Sequence, residues 1–303
     1  MNRLHVALIG VGLMGFPMGK RLCDAGFRVT AYNRTREKAE RLRAHGAEVA
    51  DEPRIAVGEA DFVLTMLEQG EAVQEVLFVQ GAAKAMTRGS MVIDMSSIKP
   101  AEAQDHAASL QALGVSHLDA PVSGGTLGAE AGSLAIMVGG NALDFERARP
   151  VLEALGRPTH VGPHGAGQFA KLANQMIVGI TIGAVAEALL LAHRGGADIG
   201  RVREAIRGGF AESRVLEVHG ARMVERDFAA RATVNVQVKD LRNALHTAGQ
   251  LGFDTPITSE LTRLYESATA SGWGDLDHSA LFLALEAGRS HEVARAGAKQ
   301  YDR

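Results

Sequence analysis

Six residues, Gly10-Val11-Gly12-Leu13-Met14-Gly15, constrain this chain more than any others because of what flanks them. Before them runs Leu4-His5-Val6-Ala7-Leu8-Ile9, a short apolar run rich in branched residues that reads as a buried strand. After them, Phe16 to Ala25 is compatible with a helix, and Gly26 suits its C-terminal cap. A second strand, Phe27 to Tyr32, follows at once. In such a unit Gly10 allows a tight turn, Gly12 lets the backbone approach a pyrophosphate, and Gly15 lets helix and strand pack closely. Backbone amides of the turn and the positive end of the helix dipole then face the phosphates. A glycine-rich turn that binds nothing is the alternative, and the complete strand–turn–helix–strand unit argues against it. Residues 10–15 are therefore the candidate dinucleotide-binding turn.

The rest of the chain extends the pattern. Apolar runs at Phe62–Leu67, Met91–Met95, His117–Pro121 and Leu134–Val138 alternate with amphipathic stretches. That alternation predicts an α/β, Rossmann-type, doubly wound parallel sheet over residues 1–164. Beyond His160-Val161-Gly162-Pro163-His164 the strand signals stop, and residues 165–303 read as an all-helical substrate and dimerisation domain. Its first helix, about Gln168 to His193, carries only Lys171 and Glu187 as charges before its last turn. The longest uncharged run, Leu172 to Ala186, falls short of the roughly 18 residues of a membrane span and contains Asn174, Gln175 and Thr181. A long central helix buried on all sides is the expectation, shielded in part by a partner subunit in a homodimer or homotetramer.

Composition narrows the class. With 46% apolar and 22% charged residues and a net charge of −3, the 303-residue chain is ordinary for a soluble enzyme. No basic run or aromatic–basic interleaving suggests a nucleic-acid partner, and no membrane partner is expected. The single cysteine, Cys23, rules out an internal disulfide framework and fits a reducing cytoplasm. Arg3 before an apolar run could imitate a secretory signal, but the glycines that break the run favour the strand.

The end of the second strand decides the cofactor. An acidic residue about 20 positions past the glycines ordinarily meets the ribose 2′-hydroxyl of NAD. Here the sequence is Asn33-Arg34-Thr35, with Lys38 one turn further. Asn33 removes a carboxylate that would repel a 2′-phosphate; Arg34 offers a planar fork, Thr35 a hydroxyl and Lys38 a point charge. A solvated charge cluster is the plainer reading. The position and the missing acid favour NADP, with NAD as the alternative.

Two further segments carry chemistry. Lys171, Asn174 and Gln175 are spaced i, i+3 and i+4 and share one helical face. A snorkelling helix-end lysine is the alternative to a functional one. Desolvation among these apolar neighbours would bring the lysine towards the range of a general acid–base. In Asp119-Ala120-Pro121-Val122-Ser123-Gly124-Gly125, adjacent glycines after a serine can form a nest of amides that suits a carboxylate. An ordinary tight turn is the alternative.

Taken together, these segments resemble the β-hydroxyacid dehydrogenases over nearly the whole chain. Gly10 to Met18 looks like the family's cofactor signature, Asp119 to Gly125 like its substrate signature, and Gly165 to Asn174 like its catalytic one. Lys239-Asp240-Leu241 looks like a later motif whose lysine closes over cofactor and substrate. The resemblance implies that Lys171 donates and accepts the proton and that Ser123, Gly124, Gly125 and Asn174 hold the substrate. It implies too that Met66, Leu67 and Ser97 line the nicotinamide side. Gln175, where many members carry a second asparagine, together with Ile206-Arg207-Gly208-Gly209 and Asp277-His278-Ser279-Ala280-Leu281, resembles the branch that reduces tartronate semialdehyde. A small carboxylate substrate with a hydroxyl beside its aldehyde is thus expected. A 3-hydroxyisobutyrate-type substrate is the alternative, and a non-catalytic dinucleotide-binding protein the alternative from another class. No metal is expected: Gly162 and Pro163 separate His160 from His164, so no helix presents both. Nor do the contiguous Asp277, His278 and Ser279 make a triad.

Overall fold

Alternation along the strands explains why the chain builds a sheet with two covered faces. In β1 (His5–Ile9), Val6 and Leu8 point to one side and Ala7 and Ile9 to the other. The first pair joins a core with Leu64 and Ile93; the second joins a separate core with Val63 and Val92. A strand apolar on both faces needs helices on both, as in doubly wound folds. The computed structural model describes residues 3–288, which form two compact units, the chain passing from one to the other between Lys171 and Leu172.

The first unit holds a nine-stranded sheet. Its other strands are β2 (Arg28–Tyr32), β3 (Glu48–Val49), β4 (Phe62–Thr65), β5 (Met91–Asp94), β6 (Ser116–Asp119), β7 (Val122–Ser123), β8 (Leu134–Gly140) and β9 (Gly156–Gly162). They lie in the order β3-β2-β1-β4-β5-β6-β8-β7, with β9 also paired to β8. From β3 to β6 every pairing is parallel. The far edge is mixed: β8 runs antiparallel to β6 and β7, whereas β9 runs parallel to β8. The parallel sheet read from the sequence is therefore accompanied by a mixed edge. Between β7 and β8 stands only the short helix Gly125–Ala131, too little chain for a parallel crossover, which needs a dozen residues or more.

Strand order reverses between β1 and β4, where an α/β sheet opens a crevice at its carboxyl ends. The glycine turn leaves β1 at that point, and Met66 and Leu67 follow β4 beside it.

Helices make up the second unit; among the described residues no strand follows β9, and only the isolated bridge Thr233–Asp277 interrupts the helices. Three of the helices start on side-chain caps that accept backbone N–H bonds: Asp198 from Arg201, Ser213 from Leu216 and Thr233 from Val236. Leu189, Leu241, Tyr265 and Phe282 fill the core, and Trp273, the only tryptophan, lies half-buried at its edge. Burying one such side chain contributes about 1.5–3 kcal/mol.

The long helix spans Ala166–Arg194. Ile182, Ala186 and Leu189 on one side pack into the second unit's core. The opposite side presents Phe169, Ala173, Ile177, Ala184, Ala188 and Leu191 to solvent, with Ile177 at 66% exposure and Leu191 at 76%. In the single chain the helix is thus covered along one side, although its composition is apolar all round.

Candidate active site

Backbone crowding holds the glycine turn. Gly10 has φ +100°, and a Cβ there would stand 2.3 Å from the Met66 carbonyl oxygen. At Gly15 a Cβ would come within 1.9 Å of the Gly10 oxygen. Around Gly12, by contrast, a Cβ would meet nothing within 4 Å. Two glycines are thus required by packing, and the third leaves open space on the ligand side, the shape a diphosphate needs. The helix Gly15–Asp24 starts at this space, with Leu13 exposed and Met14 partly packed on the core. The residues present fit a dinucleotide.

Asn33 has a task that composition did not reveal. Its Oδ1 accepts from the Val11 N–H at 2.8 Å, and its Nδ2 donates to the Thr35 carbonyl at 2.9 Å. The side chain thereby ties the turn to the end of β2. Arg34, Thr35 and Lys38 are exposed beyond it. Arg36 pairs with Glu40 and Asp51, whereas Arg34 and Lys38 have no ion-pair partner among the described residues.

At the ends of β4 and β5 a buried network sets the loops. Thr65 donates to Asp94 at 2.7 Å, Asp94 accepts from Ser96 N–H at 3.0 Å, and the Ser96 hydroxyl accepts from Leu67 N–H at 3.0 Å. Gln168, fully buried, closes it by accepting from Ile98 N–H and donating to the Ser96 carbonyl. Ser97 lies half-buried between those two bonds.

The catalytic candidate lies near the start of the long helix. Asp119, at the end of β6, accepts from the N–H groups of Gly165 at 2.8 Å and Gln168 at 3.0 Å. A carboxylate at a helix start satisfies orphan donors and complements the dipole. Burial pushes its carboxyl up to about 6. One turn further, Lys171 Nζ donates to the Val122 carbonyl at 2.9 Å, the residue before Ser123. Gly124 and Gly125 follow with φ of +135° and +62°, left-handed backbone that favours glycine. The structure thus brings the lysine and the Ser123-Gly124-Gly125 loop together.

In the second unit, Asn174 Nδ2 donates to Gln175 Oε1 at 2.8 Å, and Gln175 Nε2 donates to Asp240 at 2.6 Å. Lys239 Nζ pairs with Asp240 at 3.1 Å. Gln175 is buried with both ends of its amide engaged, so it orders Asn174 and the Lys239–Asp240 pair. Asp119, Gln168 and Asp240 were not singled out in the sequence for these roles. The bonds given for them here span 46 to 72 residues, several to backbone groups that carry no sequence signal.

With a glycine turn fit for a dinucleotide at the switch point of the sheet, and a lysine of the long helix bonded to the residue before a serine–glycine loop, the chain belongs to the β-hydroxyacid dehydrogenase family of NAD(P)-dependent oxidoreductases. Residues 5–165 match the family described as the NAD binding domain of 6-phosphogluconate dehydrogenase. Residues 165–285 match that described as NAD-binding of NADP-dependent 3-hydroxyisobutyrate dehydrogenase. Among curated relatives, 2-hydroxy-3-oxopropionate reductase of Escherichia coli is 43% identical over 96% of this chain and 100% of its own. A probable mitochondrial 3-hydroxyisobutyrate dehydrogenase-like protein of Arabidopsis thaliana is 38% identical over 94% of this chain and 86% of its own. The solved 3-hydroxyisobutyrate dehydrogenase of Salmonella typhimurium superposes with a TM-score of 0.86 at 33% identity, covering 92% of this chain and 99% of that one.

Proposed function

We propose that this protein reduces tartronate semialdehyde (2-hydroxy-3-oxopropionate) to D-glycerate with NADPH. The observation that carries the chemistry is the Lys171 bond to Val122, which holds an ammonium against the loop expected to take a carboxylate. A bound reduced nicotinamide supplies the hydride that reaches the aldehyde carbon. Lys171 gives its proton to the aldehyde oxygen as that carbon becomes tetrahedral, and recovers one from solvent afterwards. Amides of the Ser123-Gly124-Gly125 loop hold the substrate carboxylate. Asn174, one turn further along the helix, orients the substrate hydroxyl.

Substrate choice rests on polarity. The Asn174–Gln175–Asp240 chain suits a substrate that hydrogen-bonds, as does the similarity to the E. coli reductase. Methylmalonate semialdehyde carries a methyl where tartronate semialdehyde carries a hydroxyl. Without that hydroxyl, polar groups built to meet it would stay buried and unpaired, lowering kcat/KM by up to about 10⁴-fold. The 3-hydroxyisobutyrate-type reading is kept by the Arabidopsis and Salmonella relatives, whose names carry that activity. Measuring kcat/KM for both semialdehydes, with NADPH and with NADH, tests substrate and cofactor together. The hydroxylated substrate and NADPH should be preferred, and Arg34→Ala should erase most of the cofactor preference. Equal or better turnover of methylmalonate semialdehyde would replace this substrate with the other.

We further infer a cytoplasmic homodimer or homotetramer. The apolar stripe on the long helix supports the assembly, because a contiguous exposed apolar surface marks an interaction site.

A further inference from the structure

His117 is the least explained side chain in the first unit. It is only 2% exposed, and neither ring nitrogen has a hydrogen-bond partner. Its neighbour His164 leaves Nδ1 buried and unpartnered, the two ring centroids standing 5.7 Å apart. A buried polar atom without a partner is rare in native proteins, and an ion or water is a standard cause. Two residues beyond His117, on the same face of β6, stands Asp119. One ligand atom from each of His117, Asp119 and His164 lies within 4.8 Å of the other two.

We propose that His117, Asp119 and His164 hold a divalent transition-metal ion, zinc by the chemistry of the donors. Two imidazoles and one carboxylate form a mixed N/O set that zinc takes, with donors at about 2.0–2.2 Å in a tetrahedral arrangement. Each Asp119 oxygen already accepts one backbone N–H, and each keeps a second lone pair for an ion. A neutral imidazole offers a ring-nitrogen lone pair to such an ion. His164 is only partly buried. The ion would tie the end of β6 to the turn that starts the long helix.

The second His/Asp cluster of the chain shows the contrast. There Asp277, beside His219 and His278, accepts from the Arg222 guanidinium at 2.9 Å and from the Ser279 hydroxyl at 2.6 Å. A built-in cation already occupies the position an ion would take.

The test uses the full chain, stripped with a chelator and titrated with zinc chloride, beside His117→Phe and His164→Asn treated alike. Calorimetry and elemental analysis should give the native chain about one more zinc than either variant. Zinc should raise its Tm by roughly 5 °C and leave the variants in place. Metal-free His117→Phe should melt at or above the metal-free native chain, because it removes two orphaned nitrogens. Cobalt should give the native chain, and not the variants, the visible absorption of a tetrahedral site. Equal zinc uptake by all three chains, or a native Tm that zinc does not move, would overturn the proposal and leave a dry or water-bridged histidine pair.

Discussion

Lys171 and Asp277 show how differently a charge withdrawn from solvent, partly in one and fully in the other, can be used. Lys171 donates to the Val122 carbonyl, a neutral acceptor, rather than being locked in the kind of charged network that holds Asp277. Lys171→Ala should lower kcat by about 10²–10⁴-fold and leave NADPH affinity nearly unchanged, measured by steady-state kinetics and by fluorescence titration. Asp277 is fixed instead. Burial alone would raise its carboxyl; the His219 and His278 rings, the Ser279 hydroxyl and Arg222 outweigh burial and hold it well below the usual carboxylate range. A depressed carboxyl stabilises the fold fully above its unfolded value, about 4, and loses that contribution as pH falls. The urea midpoint should therefore drop below about pH 4. Asp277→Asn, which strands Arg222, should cost about 3 kcal/mol at neutral pH and flatten that acid limb. At this scale, the residues legible in the sequence were those whose type is unusual for their setting: glycines in a turn, a lysine in an apolar helix. Asp119 and Gln168 were not, because each acts on distant partners that only the fold supplies.

Among the elements, the opening β1–turn–helix unit is the most tightly determined. Gly15 faces the Gly10 oxygen across 1.9 Å of hypothetical Cβ contact, and that oxygen belongs to backbone that cannot swing aside. Gly15→Ala should weaken NADPH binding by tenfold or more, about 1.4 kcal/mol, and lower stability by about 1–3 kcal/mol. Gly12→Ala, with open space around its Cβ, should keep the stability and lose only the binding. Comparing thermal melts with NADPH titrations for the two variants separates packing from ligand approach. The unit was legible because its signal is local: strand, turn and helix are contiguous. Strand direction at the far edge was not. The run Leu134–Val138 has the same apolar texture whether it lies parallel or antiparallel to β6, and only the short chain between β7 and β8 decides it.

For the whole molecule, the long helix leaves one question to association. Ile177 and Leu191 lie on its exposed apolar stripe. Under the proposed assembly, Ile177→Asp should shift the protein towards monomer in sedimentation, with the far-UV circular dichroism spectrum unchanged, because a charge facing water costs little and a charge in an apolar interface costs much. Trp273 gives the molecule an optical consequence. As the sole indole of the chain, placed in the helical unit, it reports that unit alone, whereas circular dichroism sums over both. A melt followed at the two wavelengths should coincide if the units unfold as one cooperative block and separate if they do not. The gap between the curves therefore reads the thermodynamic coupling of the two units directly, without an added label.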